Sequence, residues 1–202
     1  MTDHEITAGL VKQLRDATGA GMMDCKRALV EAGGDMTRAQ EILRTKGLAS
    51  AKKRTGRKAR EGLVDAYIHG GGRIGAMVEV NTETDFVART EEFRTLVREI
   101  AMQVAARDPR WVSREDVPDD VLESERKIAA EKARTDGKPE QVIDRIVDGQ
   151  LAGFYKEYVL LEQDYIREPK RRVGDLVSEV AAKVGENVIV RRFARYLLGE
   201  EA

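Results

Sequence analysis

The sequence predicts an α+β protein, with an N-terminal three-helix module followed by a small antiparallel β-sheet packed with helices. Two observations carry this prediction. Apolar residues recur at helical spacing within residues 1–47, whereas strict alternation of apolar and polar residues occurs only within residues 62–202, among further helical stripes. Hydrophobic residues make up 42% of the 202 residues and aromatic residues only 5%, so we expect a mostly aliphatic core.

The first 47 residues predict three short helices. The segment 18–21 (Thr-Gly-Ala-Gly) interrupts the first helical stripe, two glycines end a second helix that begins near Met22, and Asp35 is a suitable N-cap for a third. The apolar positions expected in the core of this module are Ile6, Leu10, Val11 and Leu14, then Cys25, Leu29 and Ala32, then Met36, Ala39, Ile42 and Leu43.

The segment 44–60 is strongly basic. It carries eight Lys or Arg residues and no acidic residue, and it has few apolar residues to bury. We interpret it as a solvated helix or a linker, and hence as a domain boundary. The predicted organisation is a three-helix module over 1–47, a basic linker or helix over 48–61 and an α+β core domain over 62–202.

The period of the pattern changes after residue 61. Residues 63–68 and 74–80 alternate and are separated by the glycines 70–72, which predicts a β-hairpin with a flexible tip. The later elements predicted from periodicity are helices from Phe93 onwards, over 119–136, over 139–161 and over 173–184, and a final strand over 188–198.

Composition excludes several classes of protein. Lys and Arg total 35 and Asp and Glu total 36, so the net charge of −1 argues against a basic nucleic-acid coat and against an acidic disordered chain. A single cysteine, Cys25, excludes an internal disulfide. The sequence has no apolar run of membrane-spanning length and no signal-peptide pattern, so we expect a cytoplasmic protein without membrane contact.

Familiar catalytic patterns are absent from the sequence. It has no Gly-x-Ser-x-Gly elbow and no Walker A motif, and two histidines with one cysteine cannot by themselves form a tetrahedral zinc site. We therefore expect no cofactor and no metal. The letters Gly70-x-Gly72-x-x-Gly75 match a dinucleotide fingerprint, but a strand rather than a helix follows them, so we interpret them as a hairpin turn.

Three acidic residues, Glu79, Glu83 and Asp85, lie close together at the end of the second predicted strand. One interpretation is a metal or acid–base site. The other is a capping turn, in which Thr82 or Thr84 begins a helix and the acids favour its dipole. The residues alone leave both interpretations open.

Phe86, Met22 and Met23 are apolar residues in ambiguous contexts. Phe86 stands among acids before a helix, where it is either a hydrophobic staple or an aromatic anchor for a partner. Met22 and Met23 directly follow the turn 18–21, and methionine suits both a core and an adaptable contact surface.

Two long segments are similar to the signatures of one family. Residues 14–29 (LRDATGAGMMDCKRAL) and residues 79–89 (EVNTETDFVAR) resemble the N-terminal and second signatures of bacterial translation elongation factor Ts, in that family's order. Residues 185–200 look like its C-terminal segment, so the resemblance covers nearly the whole chain. One departure is Thr82, where the family pattern has cysteine or serine.

The resemblance implies a fold and a function. It implies that residues 1–47 form a ubiquitin-associated-like module and that the protein is a guanine nucleotide exchange factor for elongation factor Tu, a GTPase that delivers aminoacyl-tRNA to the ribosome. Such a factor needs no covalent chemistry and is not an enzyme in that sense. By the family's pattern, the residues that disturb the partner's magnesium ion are Thr84, Asp85, Phe86 and Val87, and those that contact the partner are Arg15, Met22, Met23 and His69.

Two functions of other classes stay open as alternatives. An RNA-binding module using residues 44–60 predicts salt-sensitive RNA affinity without any GTPase, although this segment has no aromatic residue for base stacking. A metal-dependent enzyme at Glu79, Glu83 and Asp85 predicts divalent-ion binding by the free chain.

The length predicts an oligomer. Longer members of the family carry two related core halves, whereas one hairpin and one C-terminal strand are found here. We expect a homodimer that completes the core, with the strand 188–198 as a candidate contact. In such a dimer Asp85 and Phe86 of one copy and His69 of the other are expected to address the same GTPase.

Overall fold

The computed structural model describes residues 6–200, with the exception of the side chains of Leu48 and Lys52. The three helices of the module, the hairpin, the later long helices and the final strand follow one another in the predicted order, and further short elements lie between them. In chain order they are α1 (Ala8–Thr18), α2 (Met22–Glu31), α3 (Met36–Arg54), β1 (Glu61–His69), β2 (Ile74–Thr82), α4 (Asp85–Ala88), α5 (Glu91–Arg107), α6 (Asp119–Thr135), α7 (Glu140–Tyr158), β3 (Asp164–Tyr165), β4 (Glu168–Arg172), α8 (Val173–Val184) and β5 (Ile189–Leu197).

The chain divides into two units, each assembled from separate stretches of sequence. The first unit comprises Met1–Gly62, Asn81–Phe93 and Val177–Ile189, and the second comprises Leu63–Val80, Arg94–Leu176 and Val190–Ala202. The first unit therefore contains the helical module together with two short segments of the predicted core domain, a division that differs from three consecutive domains.

Helices α1, α2 and α3 pack around one aliphatic core in the first unit, as predicted. The Thr7 hydroxyl caps α1 by accepting a hydrogen bond from the Leu10 N–H at 3.2 Å, and Gly19 ends this helix with φ 68°. All eleven predicted apolar positions belong to this core. Its buried members are Val11, Leu14, Cys25, Ala28, Leu29, Ala32 and Ala39, and Ile6, Leu10, Ala20, Met36, Ile42 and Leu43 pack against them.

Helix α3 continues to Arg54, so the first half of the basic segment is helical and the predicted boundary after residue 47 falls inside this helix. Alanine, lysine and arginine all have high helix propensity, which favours continuation. Ion pairs join the basic segment to other parts of the first unit. Lys46 pairs with Glu31, and Arg44 pairs with Glu179 at 3.4 Å.

The predicted antiparallel sheet is present, with strand order β1-β2-β5. The glycines 70–72 at the hairpin tip have φ of 59°, 67° and 87°, a left-handed conformation that other residues rarely adopt. Strand β2 begins directly after this tip, so the glycine motif belongs to a hairpin and the hairpin interpretation is confirmed. Ala76, Val78 and Val80 on the predicted inner face of β2 are buried.

Helix α5 is joined to the sheet by arginines in the second unit. Arg98 of α5 donates to the Ala66 carbonyl in β1 at 3.2 Å, and Arg195 of β5 donates to the Ala105 carbonyl in α5 at 3.3 Å. The buried apolar stripe of this helix comprises Phe93, Leu96, Val97, Ile100, Ala101 and Val104. Together with the three-helix module and the antiparallel sheet, this helix confirms the α+β fold class that the sequence predicts.

Helices α6 and α7 form a helical hairpin, closed by the Arg134–Glu140 ion pair at 2.7 Å. Helix α7 ends at Tyr158, so the predicted range 139–161 was too long. Val159 is buried in an extended conformation, and the Leu160 N–H donates to the Trp111 carbonyl at 2.8 Å, a long-range contact that ends the helix.

None of the helices in the described chain combines the length and the apolar character needed to cross a membrane.

Strands β3 and β4 form a two-stranded antiparallel ribbon that the sequence did not predict. Strand β3 has two residues and β4 reads Glu-Pro-Lys-Arg-Arg, so neither shows an alternating pattern. The ribbon is held by a buried amide instead: the Ile166 N–H donates to Gln103 Oε1 at 3.0 Å, and Gln103 also donates to Gln163 Oε1 at 3.0 Å.

Helix α8 ends at a glycine whose backbone conformation other residues adopt only with strain. Gly185 has φ 78°, and its N–H donates to the Ala181 carbonyl at 3.1 Å. We expect Gly185→Ala to lower the free energy of unfolding by about 1 kcal/mol, measured by urea unfolding followed by circular dichroism.

The matched control is Gly149→Ala, in the exposed face of α7. An added Cβ at Gly149 meets no atom within 4 Å, so this substitution is expected to raise the free energy of unfolding by roughly 0.5–1 kcal/mol. Equal losses in the two variants would contradict the assigned conformation of Gly185.

Candidate functional site

The segment from Thr82 to Thr90 is a tightly bonded turn between β2 and α5. Its centre is the one-turn helix α4, and Thr84 is the N-cap, because its hydroxyl accepts a hydrogen bond from the Val87 N–H at 3.4 Å. Ala88 is the buried residue of α4. The structure thus decides for Thr84 between the two threonines, and it favours the capping-turn interpretation of this segment.

Phe86 extends from this turn into solvent, with 78% of its surface exposed. A hydrophobic staple packs its side chain against its own helix, so this exposure argues against the staple interpretation. An aromatic ring presented in this way gains roughly 2–3 kcal/mol when a partner buries it. Phe86 therefore has the geometry of an anchor.

The two neighbours of Phe86 are less exposed. Val87 is half-buried, and Asp85 forms an ion pair with Arg89 at 2.8 Å at the surface. Because exposed pairs of this kind contribute only about 0–1 kcal/mol, Asp85 can exchange Arg89 for another partner at small cost.

The carboxylate of Glu186 holds the turn that precedes α4. Glu186 follows Gly185 at the end of α8, 102 to 104 residues beyond the groups that it contacts. Its Oε2 accepts from the Thr82 hydroxyl at 2.8 Å and from the N–H groups of Glu83 and Thr84 at 3.1 and 3.0 Å. Its Oε1 accepts from the Thr84 hydroxyl at 2.7 Å.

These hydrogen bonds determine the protonation of Glu186. Burial raises the pKa of its carboxyl, but the donors on Thr84 and Thr82 and the backbone N–H groups of Thr84 and Glu83 outweigh burial, and the pKa lies below its ordinary value. Glu186 is therefore a charged acceptor at neutral pH, and its bonds to the turn are charge-assisted.

Asn187 connects the same turn to the end of α3. Its backbone N–H donates to Glu83 Oε1 at 2.7 Å, and its side-chain amide donates to the carbonyls of Thr55 and Arg57 at 3.3 and 2.8 Å. The sequence pattern predicted only that a helix ends at Glu186 and Asn187. Two polar residues after a helix-ending glycine were the available signal, but nothing local indicates which segment they hold.

The predicted partner-binding residues of the helical module are all on its surface. Met22 and Met23 at the start of α2 are 46% and 63% exposed, and Arg15 on α1 is exposed. Cys25, one turn after Met22, is buried and points into the core. The core interpretation of the two methionines is therefore wrong, and they are available for contact.

His69 ends β1 in the second unit and is exposed. Its Nδ1 lies 2.8 Å from the Tyr67 hydroxyl, and the two rings stack with centroids 5.8 Å apart. Arg98 lies over the Tyr67 ring at 5.4 Å. The imidazole is thus held in one orientation at the hairpin tip.

The three carboxylates of the acidic cluster have separate partners. Glu79 pairs with an arginine of β5, Glu83 accepts from the backbone of Asn187, and Asp85 pairs with an arginine of its own turn. Within residues 6–200 no group of three or more His, Cys, Asp or Glu residues is arranged to hold a metal ion. Each of the three carboxylates therefore stabilises a different local contact.

The basic segment is partly neutralised by carboxylates. Arg44, Lys46 and Arg57 each form an ion pair with a Glu residue of the first unit. Such pairing reduces the charge available to phosphates. These ion pairs favour the interpretation of residues 44–60 as an ion-paired helix with a short following segment, and they argue against an RNA-binding surface.

Comparison with known proteins identifies the family of this chain. A family model described as "Elongation factor TS" matches residues 48–200. The chain is 62% identical over 195 residues to the elongation factor Ts of Caldanaerobacter subterraneus subsp. tengcongensis, covering 96% of this chain and 98% of that protein. It is 61% identical to that of Thermoanaerobacter sp. strain X514, covering 96% of each chain, and 55% identical to that of Coprothermobacter proteolyticus, covering 97% of this chain and 100% of that protein. The chain therefore belongs to the elongation factor Ts family of translation elongation factors.

Proposed function

We propose that this protein is a guanine nucleotide exchange factor that binds the GDP-bound GTPase elongation factor Tu, disturbs its magnesium site and promotes GDP release. The observation that carries the proposal is the exposed Phe86 ring on a turn held by Glu186. Family membership supports the same partner. The exchange requires differential binding and no covalent step.

The mechanism is a coupling between two ligands of one GTPase. Such a protein holds GDP through backbone N–H groups around the β-phosphate and through Mg²⁺. A factor that binds the nucleotide-free state more tightly weakens GDP binding, and GDP weakens binding of the factor by an equal amount. Displacing the ion leaves phosphate charge uncompensated, which speeds GDP release.

The Thr84–Val87 segment is suited to this displacement. Phe86 is suited to supply apolar insertion energy because 78% of its surface is exposed and available for a partner to bury. Asp85 brings a carboxylate whose own ion pair is weak, so it can compete for groups near the partner's magnesium ion. Thr84 begins the helix and Val87 completes its first turn, so both set the direction of the ring.

The helical module is suited to provide affinity. Met22 and Met23 form an exposed, adaptable apolar surface at the start of α2, and the positive charge of Arg15 is exposed on α1. His69, oriented by Tyr67, adds a polar contact from the hairpin tip.

A homodimer is part of the proposal, and the outer face of the sheet is its candidate interface. Val64, Ile68, Met77 and Tyr196 on this face are 62%, 64%, 52% and 73% exposed. Gly75 lies on the same face, because a Cβ there would meet Ile68 Cδ1 at 3.1 Å. Soluble monomers seldom expose an apolar patch of this kind, and a second copy would cover it with an identical face. The predicted strand 188–198 contributes Tyr196 to this surface.

Removing the ring of Phe86 tests the wedge. We expect Phe86→Ala to lower the factor-accelerated rate of GDP release from elongation factor Tu at least tenfold at saturating factor, since a central aromatic anchor contributes about 2 kcal/mol or more. The rate is measured with a fluorescent GDP analogue in a stopped-flow instrument. Ile128→Ala, which truncates a side chain 56% exposed on α6, is the control and should leave the rate unchanged. An unchanged rate in Phe86→Ala would refute the wedge.

Met23 tests the division between affinity and displacement. We expect Met23→Ala to raise the factor concentration that gives half-maximal acceleration about fivefold, for a lost contact of about 1 kcal/mol, while the maximal rate stays within twofold. The same concentration series for Phe86→Ala should show the opposite pattern. A loss of maximal rate in Met23→Ala contradicts the assigned role.

The oligomeric state tests the interface. We expect the wild-type protein to sediment as a dimer and Met77→Lys to sediment as a monomer with an unchanged circular dichroism spectrum, because two lysines would face each other across the interface. Ile128→Lys adds the same charge outside the sheet and should remain dimeric. A monomeric wild-type protein at micromolar concentration rejects the homodimer.

A further inference from the structure

The helix that carries Phe86 is too short to be stable by itself. Four residues complete about one turn, and isolated helices of that length do not persist in water. Ala88 alone in this helix is buried, and the exposed Asp85–Arg89 pair contributes little. The conformation of α4 therefore depends on how the turn before it is held.

The Glu186 carboxylate orients the N-cap of α4. The Thr84 hydroxyl has one proton, which it donates to Glu186 Oε1 at 2.7 Å. With the proton directed there, a lone pair of the same oxygen faces the Val87 N–H, from which it accepts at 3.4 Å. Two consecutive hydrogen bonds thus lead from Glu186 through Thr84 into the first turn of α4.

The second carboxylate oxygen orients the backbone before α4. Glu186 Oε2 accepts from the N–H groups of both Glu83 and Thr84 and from the Thr82 hydroxyl. One atom therefore accepts from the N–H groups of two successive peptide planes in the turn that leads into α4. Thr82 is fully buried, so the anchoring end of this arrangement is shielded from water.

We propose that Glu186 is a positioning residue for nucleotide exchange, because its carboxylate holds the Thr82–Thr84 turn in the geometry that presents Phe86. This inference rests on the proposed exchange function. Glu186 acts through the turn and not by touching the nucleotide. A ring that is already in place at encounter needs no ordering during binding, so loss of Glu186 lowers the rate of GDP release.

The test is a set of double-mutant cycles on accelerated GDP release at saturating factor. We expect Glu186→Ala to lower the rate at least fivefold in the wild-type background and about fivefold again in the Met23→Ala background. In the Phe86→Leu background, which keeps a residual apolar contact, the loss should be twofold or less, because little remains to be positioned. An equal loss in all three backgrounds overturns the proposal, since a residue that only stabilises the fold gives that result.

Two further variants keep the test decisive. Glu162→Ala removes a carboxylate that pairs with two arginines of the second unit and should leave the rate within twofold; a loss equal to that of Glu186→Ala overturns the proposal. If Glu186→Ala does not fold, Glu186→Gln takes its place in the cycles. Its amide oxygen still accepts from the turn, so we expect a two- to threefold loss with the same dependence on Phe86, and a loss independent of Phe86 overturns the proposal.

The proposed function and this inference fail in different ways. A wild-type factor that does not accelerate GDP release refutes the exchange function. Acceleration that depends on Phe86, with a Glu186 effect that is the same in every background, refutes only the positioning role.

Discussion

One half-buried carboxylate organises the surface on which the proposed function depends. Glu186 accepts four hydrogen bonds from a turn more than 100 residues earlier in the chain, and these donors offset the cost of burying its charge. Their net effect is a lowered pKa, so the carboxylate stays ionised and its bonds stay strong at neutral pH. These hydrogen bonds hold the turn that leads into α4 and the Phe86 ring. Asn187 adds hydrogen bonds to the backbone at the end of α3.

In the proposed function, the first unit has two separate tasks. Its helical core buries Cys25, Ala28 and Leu29 on one side of α2 and leaves Met22 and Met23 exposed, and we propose that these two residues contribute affinity for the partner. The turn 82–90, held by the hydrogen bonds of Glu186, is the projection that we propose displaces a ligand of the partner. A flexible projection would lose part of its insertion energy to ordering, which is why a short helix with external support suits this task better than a free loop.

The elements that the sequence predicted are those with strong local periodicity. The three helices of the module, the hairpin and the apolar stripe of α5 each show several apolar residues in register, so their burial follows from period alone. The missed elements depend on distant partners. The ribbon β3–β4 is held by Gln103 of α5, and α7 ends at Tyr158 because the Leu160 N–H bonds to the Trp111 carbonyl. The extension of α3 past residue 47 follows from propensity and ion pairs in a segment with few apolar residues.

The sequence by itself determined the fold class, the helical module, the family signatures and the positions of Phe86, Met22 and Met23 within them. Only the tertiary structure decided that these three side chains face solvent and that Thr84 caps the helix. It alone connected Glu186 with the turn that it holds. The physical reason is the range of the interactions: periodicity and capping act over a few residues and are visible in the local pattern, whereas exposure and the partners of a carboxylate depend on segments that approach each other only after folding.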